Sequence, residues 1–280
     1  MKKLAGLLSL SLLLVGCGGA NTANNANTGN GEAGAEAENN KIVVGVSPMP
    51  HGEIVEALQP QFEAAGLEVE VVTFDDYVQP NEQLAAGDLD ANYFQHQPYL
   101  DEFTQQNDLE LTSIGNVHIE PIGFYSDKIK NLDELQDGDE VIIPNDPTNG
   151  GRALIMLDKA GVIQLKDNTN LSSTENDIVE NPKNLKFQAL EAQGIPNVYQ
   201  DAALAAINSN YALGAGLNPV TDAVLLEDAD SPYANIVAVR TGEEGQEKFK
   251  KFMEVLNSAE AKKFIEEKYQ GAVIPAFDVQ

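Results

Sequence analysis

Along residues 41–106, short apolar runs alternate with stretches of helical periodicity, and an α/β sheet is the architecture that accommodates this pattern. Ile42-Val43-Val44-Gly45-Val46 ends at Ser47-Pro48 and predicts a buried strand. Ile54, Leu58, Phe62 and Ala65 then share one helical face, and Gly66 stops that helix. Residues 67–74 return as a strand. Asp76 is placed to cap a helix that runs to Ala86 and stops at Gly87. Residues 89–94 are strand-like and a helix over 97–106 follows. The second half repeats the pattern less clearly. It predicts a strand at 140–143, a helix at 149–160 stopped by Gly161, and strands at 185–190 and 236–240. Residues 202–215 mix helical and strand signals. Phe249, Phe252, Met253 and Leu256 fall at i, i+3, i+4, i+7 on a terminal helix, and a last helix carries Phe264 and Ile265. The economical reading is two α/β lobes, with no short-period repeat.

What precedes this body is of another kind. Lys2 and Lys3 are followed by an apolar run over 4–15. At about 12 residues it is too short to span a bilayer, which takes roughly 20, and it fits the apolar core of a signal peptide. Leu14-Val15-Gly16-Cys17 has the form of a lipobox, in which the cysteine is acylated and becomes the new N-terminus. The alternative is an ordinary signal peptide with an incidental cysteine. Cys17 is the chain's one cysteine, so a disulfide framework, a cysteine-based zinc site and an iron–sulfur cluster are excluded. Residues 18–40 contain no Leu, Ile, Val or aromatic side chain, and are expected to form a disordered tether reaching about 25 Å. The expected division is a leader over 1–16 and a lipidated Cys17 with its tether over 17–40. Lobe one then comprises 41–120 with 236–280, and lobe two 121–235.

The charge balance narrows the partners. With 17 Lys+Arg against 44 Asp+Glu, the net charge of −27 speaks against nucleic acid, whose phosphates demand clustered cations. Arg152 and Arg240 are the only arginines, so their positions carry information.

Three groups of residues could carry chemistry. Tyr77, Tyr93, Phe94, His96, Tyr99 and Phe103 concentrate rings in a chain that is only 6% aromatic. Phe94, His96 and Tyr99 fall at a strand's carboxyl end, where open α/β sheets bind ligands. The rings form either a pocket or ordinary core, and Phe103 reads as core. In Asn145-Asp146-Pro147-Thr148-Asn149-Gly150-Gly151-Arg152, the glycines are expected to expose amides at a helix N-terminus, with Arg152 adding a planar fork for a carboxylate. A plain surface helix start is the alternative. Asn208 and Asn235 can donate to a carboxylate or accept from an ammonium, although turn chemistry also explains each. His51, His96 and His118 lack HExxH spacing; a metal would require them to converge in space. No P-loop, dinucleotide fingerprint or nucleophile elbow occurs.

Four segments resemble the methionine-binding lipoprotein family of the NlpA type, the substrate-binding subunits of methionine ABC importers. They are Ser47-Pro48-Met49-Pro50-His51-Gly52-Glu53-Ile54, Asn92-Tyr93-Phe94-Gln95-His96-Gln97-Pro98-Tyr99-Leu100, the 144–152 segment, and Ser231-Pro232-Tyr233-Ala234-Asn235. The resemblance implies a two-lobed periplasmic-binding-protein-like fold, a hinge and an interlobe cleft. It implies that Tyr77, Phe94, His96 and Tyr99 enclose a thioether, that Arg152 pairs with the α-carboxylate, and that Asn208 and Asn235 hold the head group. One departure is Gly150, where such proteins often carry a bulkier residue; loop flexibility is the expected consequence.

The implied function is capture of methionine, L-methionine first, by a monomer that needs no cofactor or metal. The monomer sits on the membrane through lipid on Cys17 and delivers its ligand to the permease and ATPase complex of the importer. Its place is the outer side of the cytoplasmic membrane, or the outer membrane in a Gram-negative cell. D-methionine or a methionine-containing dipeptide are alternatives. Further readings are a metal receptor, or an enzyme using His96 as base in the same cleft.

Overall fold

The computed structural model describes residues 40–228 and 232–279. The expected leader, the Cys17 anchor and the tether up to residue 39 lie outside the described residues.

β1 (Lys41–Val46) opens the body, as the apolar run predicts. A short helical turn at Pro48–Gly52 leads into α1 (Glu53–Ala57) and α2 (Gln59–Ala64). The single helix expected here is broken at Leu58, whose φ of −96° and ψ of 6° leave the helical region. Pro60 is the cause, because it supplies no N–H to the preceding turn and its ring crowds it. Ile54, Leu58 and Phe62 nevertheless keep their common face and are fully buried. β2 (Glu68–Thr73), α3 (Gln79–Ala86), β3 (Ala91–His96) and α4 (Gln97–Asn107) follow in the expected order. Asp76 accepts the amides of Val78 and Gln79 at the entrance to α3.

The chain continues through β4 (Leu111–Ile119), β5 (Gly123–Tyr125), β6 (Glu140–Pro144), α5 (Pro147–Lys159), β7 (Gln164–Leu165), β8 (Ile178–Glu180) and β9 (Lys186–Leu190). The ambiguous stretch resolves into β10 (Leu204–Ile207) and α6 (Ser209–Gly214), with Asn208 at the joint. α7 (Pro219–Asp222), β11 (Leu225–Leu226), β12 (Ala234–Arg240), α8 (Glu247–Leu256), α9 (Ala259–Tyr269) and β13 (Ile274–Pro275) complete it.

These strands form two main sheets. The first runs β13-β4-β12-β3-β1-β2, with β1 parallel to both β2 and β3 and with β12 antiparallel to its neighbours. The second runs β11-β5-β10-β6-β9. The chain passes from the first sheet to the second after β4 and returns before β12, giving a two-lobed α/β body. Asn235 lies in β12, so the return falls before Ala234.

Each sheet is covered on both faces, which is why β1 and β6 read as continuous apolar runs. On the first, α1, α2, α8 and α9 press Ile54, Phe62, Phe252 and Ile265 against Val44 and Val46, while Leu84 and Leu100 cover Ile236 and Ala238 opposite. On the second, Leu154 and Leu157 of α5 pack on Val141 and Ile143, and Ile142 faces the other way toward Ala205 and Ile207. Arg240 finds its role here. Its Nη1 donates to the Leu84 carbonyl at 2.8 Å and to that of Leu89, serving the C-terminal end of α3, and Glu243 holds its other edge. It supports the fold far along β12 from Asn235.

Candidate functional site

β3 runs two residues beyond the predicted strand, and its last residue, His96, caps α4. Pro98 in the first turn suits the fixed φ of a helix start. Phe94, His96 and Tyr99 are all buried, and Tyr77 reaches them from the turn before α3. The Tyr77, Phe94 and Tyr99 rings form a triangle with centroids 6.0, 5.9 and 6.2 Å apart, in tilted and edge-on arrangements. The Tyr99 hydroxyl donates to the Tyr77 carbonyl at 3.0 Å, and the Tyr77 hydroxyl donates to Asn210 Oδ1 at 2.6 Å, reaching α6 beside the second sheet. Phe103 stacks on Tyr99 at 5.7 Å but is only half-buried, so it belongs to the rim of the cleft and not to the core as its spacing predicted.

His96 has a defined tautomer. Its Nδ1 accepts the Tyr99 amide, so in the neutral ring the proton sits on Nε2, which donates to Asn149 Oδ1 at 3.1 Å. Burial, helped by the charge of Arg152, pushes its pKa down to about 3 and keeps the ring neutral.

The opposite wall is polar. α5 starts at Pro147, and Asp146 caps it by accepting the Asn149 amide at 2.9 Å. The glycines do not expose amides for an anion as expected. The Gly150 N–H makes an ordinary helical bond to the Asp146 carbonyl. Both positions instead permit close packing: a Cβ on Gly150 would lie 2.8 Å from the Pro144 carbonyl oxygen, and one on Gly151 2.3 Å from that of Leu171. Gly150 therefore governs packing inside the helix, not loop flexibility.

Arg152, one turn further, is 3% exposed. Its Nε donates to Glu227 Oε1 at 2.9 Å, and its Nη2 pairs with Glu227 Oε2 and donates to the Glu120 carbonyl at 2.8 Å. The guanidinium carbon stands 4.3 Å over the Tyr233 ring. Asn149 Oδ1 also accepts from Asn208 Nδ2 at 2.9 Å, which joins His96 of the first sheet to Asn208 of the second. The buried Asn208 Oδ1 has no hydrogen-bond partner among the described residues.

All seven residues singled out from the sequence, Tyr77, Phe94, His96, Tyr99, Arg152, Asn208 and Asn235, line one cavity, together with Gln95, Glu120, Asn149, Ser209 and Asn210. The sequence profile described as NlpA lipoprotein matches residues 42–277. This chain belongs to the NlpA lipoprotein family. It is 44% identical over 272 residues to the D-methionine-binding lipoprotein MetQ of Escherichia coli K12, covering 96% of this chain and 95% of that one. Among solved structures it is similar to a nutrient binding protein from Burkholderia cenocepacia bound to methionine, at 45% identity and a TM-score of 0.82, covering 84% of this chain and all of that one. It is also similar to an ABC transporter periplasmic substrate-binding protein from Coxiella burnetii, at 41% identity and a TM-score of 0.81, covering 84% of this chain and 100% of that one. The two-lobed fold is thus that of substrate-binding proteins.

In this NlpA lipoprotein, two of the three histidines converge. Among the described residues, His51, His118 and Glu120 form the one group whose ligand atoms, all within 4.8 Å, could hold a metal. Glu120 Oε1 is hydrogen-bonded to His118 Nε2 at 2.8 Å and lies 3.3 Å from His51 Nε2, which is hydrogen-bonded to Asn235 Oδ1. Burial lowers the His51 pKa to about 4 and that of His118 to about 3, and raises that of Glu120. His96 stands apart, engaged with Asn149.

Three of the site residues that the sequence does not single out are instructive. Asn149 lay in a segment already singled out. Glu120 follows a strand, β4, that periodicity did not reveal. Glu227 carried no signal, because one carboxylate among 44 does not stand out.

Proposed function

We propose that this NlpA lipoprotein is an extracytoplasmic solute-binding protein that captures methionine, L-methionine first, and delivers it to the permease and ATPase complex of an ABC importer. The carrying observation is the meeting of two unlike walls on one cavity: three mutually packed rings on one side, and Arg152 with the unpartnered Asn208 Oδ1 on the other. A zwitterion with an apolar, polarizable side chain complements both. The thioether lies against ring edges, each contact worth about 0.3–1.5 kcal/mol. The α-carboxylate meets the Arg152 guanidinium, and Asn208 Oδ1 accepts from the ammonium. Methionine has about nine heavy atoms, so near-complete enclosure permits nanomolar affinity.

The lobes follow the sheets. We take 41–120 with 236–280 as the first and 121–235 as the second; the pairing of Ala234 and Asn235 with the first sheet supports moving the second boundary about two residues earlier. Hinge closure on the ligand would make the closed shape the signal that the importer reads. The protein acts as a monomer held to the membrane by lipid on Cys17, on the outer side of the cytoplasmic membrane or, in a Gram-negative cell, on the outer membrane. Among the described residues no helix is long and apolar enough to cross a bilayer. Binding without turnover is favoured by His96: both ring nitrogens are engaged, by the Tyr99 amide and by Asn149, so neither is available as a base.

D-methionine is the second reading, favoured by the name of the Escherichia coli relative. Mass spectrometry with chiral separation, applied to ligand released by denaturing freshly purified protein, decides between them. L-methionine supports the proposal, its enantiomer supports the second reading, and an unrelated solute overturns both.

A further inference from the structure

Behind Asn235 lies a buried cluster that the ligand contacts above leave unused. His51, His118 and Glu120 are 1%, 0% and 6% exposed. Tyr93 is fully buried among them, its ring edge-on to His51 at 4.7 Å and its hydroxyl hydrogen-bonded to His118 Nδ1. In the first sheet Asn235 of β12 is in register with His118 of β4 on one side and with His96 of β3 on the other. The cluster and the cavity are therefore one cross-strand row, joined at Asn235.

The proton positions in this row follow from elementary donor counting. An ionised carboxylate only accepts, and a neutral imidazole carries one N–H. Both Nε2 atoms face Glu120 Oε1, so both carry the hydrogen, and His118 Nδ1 accepts from the Tyr93 hydroxyl. Burial keeps both rings neutral, in agreement. The His51 Nε2–H then donates to Asn235 Oδ1 at 3.0 Å, with Glu120 Oε1 3.3 Å from the same nitrogen. An asparagine whose oxygen is held by a donor must turn its amide nitrogen away from that donor. No hydrogen bond among the described residues engages Asn235 Nδ2, and Asn235 lines the cavity. Asn208 has the opposite polarity: its nitrogen is spent on Asn149 and its oxygen is unpartnered.

We propose that His51 and His118 are positioning residues. Through Glu120 and the His51 Nε2–H they lock Asn235 with its amide nitrogen toward the cavity. Asn235 then donates to the ligand's carboxylate while Asn208 accepts from its ammonium, and the direction in which an amino acid lies in the cleft is set by a proton held outside the cleft. This rests on the reading of the cavity as an amino-acid site.

Two measurements test it, one independent of ligand. Nitrogen NMR of imidazole-labelled full-length protein at neutral pH should show His51 and His118 as Nε2–H tautomers. An Nδ1–H tautomer on either, or the shifts of a metal-bound ring with stoichiometric metal in the sample, overturns the proposal whether or not methionine binds. Calorimetry then compares L-methionine with its α-carboxamide. Relative to the unsubstituted protein, His51→Leu should lose about tenfold for methionine and about threefold for the amide, because the bond from Asn235 to an ionised carboxylate is stronger than one to a neutral amide carbonyl. His51→Gln, which keeps a donor near the Nε2 position, should stay within about threefold. Equal losses for both ligands mark a packing defect and contradict the proposal, as does an unchanged His51→Leu affinity. Failure of the unsubstituted protein to bind either ligand condemns the amino-acid reading itself, while the tautomer result still judges the arrangement of the cluster.

Discussion

The two walls of the cleft are built on different principles. The ring wall, Tyr77, Phe94 and Tyr99, is held by packing and two neutral hydrogen bonds, and its partners are mostly neighbours along β3 and α4. The polar wall, Arg152, Asn149 and Asn208, is held by a buried chain of hydrogen bonds that includes the charged Glu227 and Asp146. Packing tolerates a small loss, because neighbouring rings relax toward the gap. A buried polar chain does not, since removing one member leaves another unsatisfied in a medium of low dielectric. Shape selection and head-group recognition should therefore fail in different ways and by different amounts.

Acid should erase the contrast, with the largest effect on the molecule as a whole. His51, His96 and His118 have native pKa values depressed by burial to about 4, about 3 and about 3, against 6.5 when unfolded. Their contribution is present above 6.5 and is lost as pH falls through the window down to about 3–4. From pH 7 to 5 each should cost about 2 kcal/mol of stability. Glu120 and Asp146 act in the opposite sense, their raised pKa values letting the native state take up protons first, which softens the loss. Urea denaturation at pH 7 and pH 5 measures the sum; equal stabilities would refute neutral, buried imidazoles.

Arg152→Ala should show how the polar wall fails. Methionine affinity should fall at least tenfold, and Glu227, left without its cation, should lower stability by about 3–5 kcal/mol. Unchanged affinity in calorimetry would remove the carboxylate assignment. Phe94→Ala probes the other wall and should weaken methionine and its α-carboxamide alike, by about fivefold, since a ring does not read the head group. A loss confined to methionine would show that the walls are not separable. The smallest effect belongs to Tyr99→Phe, which removes only the bond to the Tyr77 carbonyl and should cost about two- to fivefold. A larger loss would place that hydroxyl in direct contact with ligand.

The same contrast separates what the sequence made legible from what it did not. β1, β3 and the turn into α4 were visible because apolar runs and Pro98 are local signals. The seven cavity residues were nameable as residue types at strand and helix ends. β4 escaped because Gly115 and Asn116 interrupt its alternation and its pairing with β12 slips twice. The break at Leu58 followed from Pro60, a residue outweighed in the periodicity count by the apolar positions around it. Gly150 and Gly151 suggest exposed amides from sequence alone, because a glycine's effect depends on what approaches it, here the Pro144 and Leu171 carbonyls. Pairings across long sequence distances, Arg152 with Glu227 and His51 with Asn235, have no local signature at all.

The proposed function requires one cavity that holds an amino-acid zwitterion between these walls. Calorimetric titration of the full-length, detergent-solubilised protein with L-methionine tests that most directly. The predicted result is one site per chain, with a negative heat-capacity change from burial of the thioether and a loss of at least tenfold when the α-carboxylate is replaced by an amide. Absence of binding, or equal affinity for the acid and the amide, would contradict it.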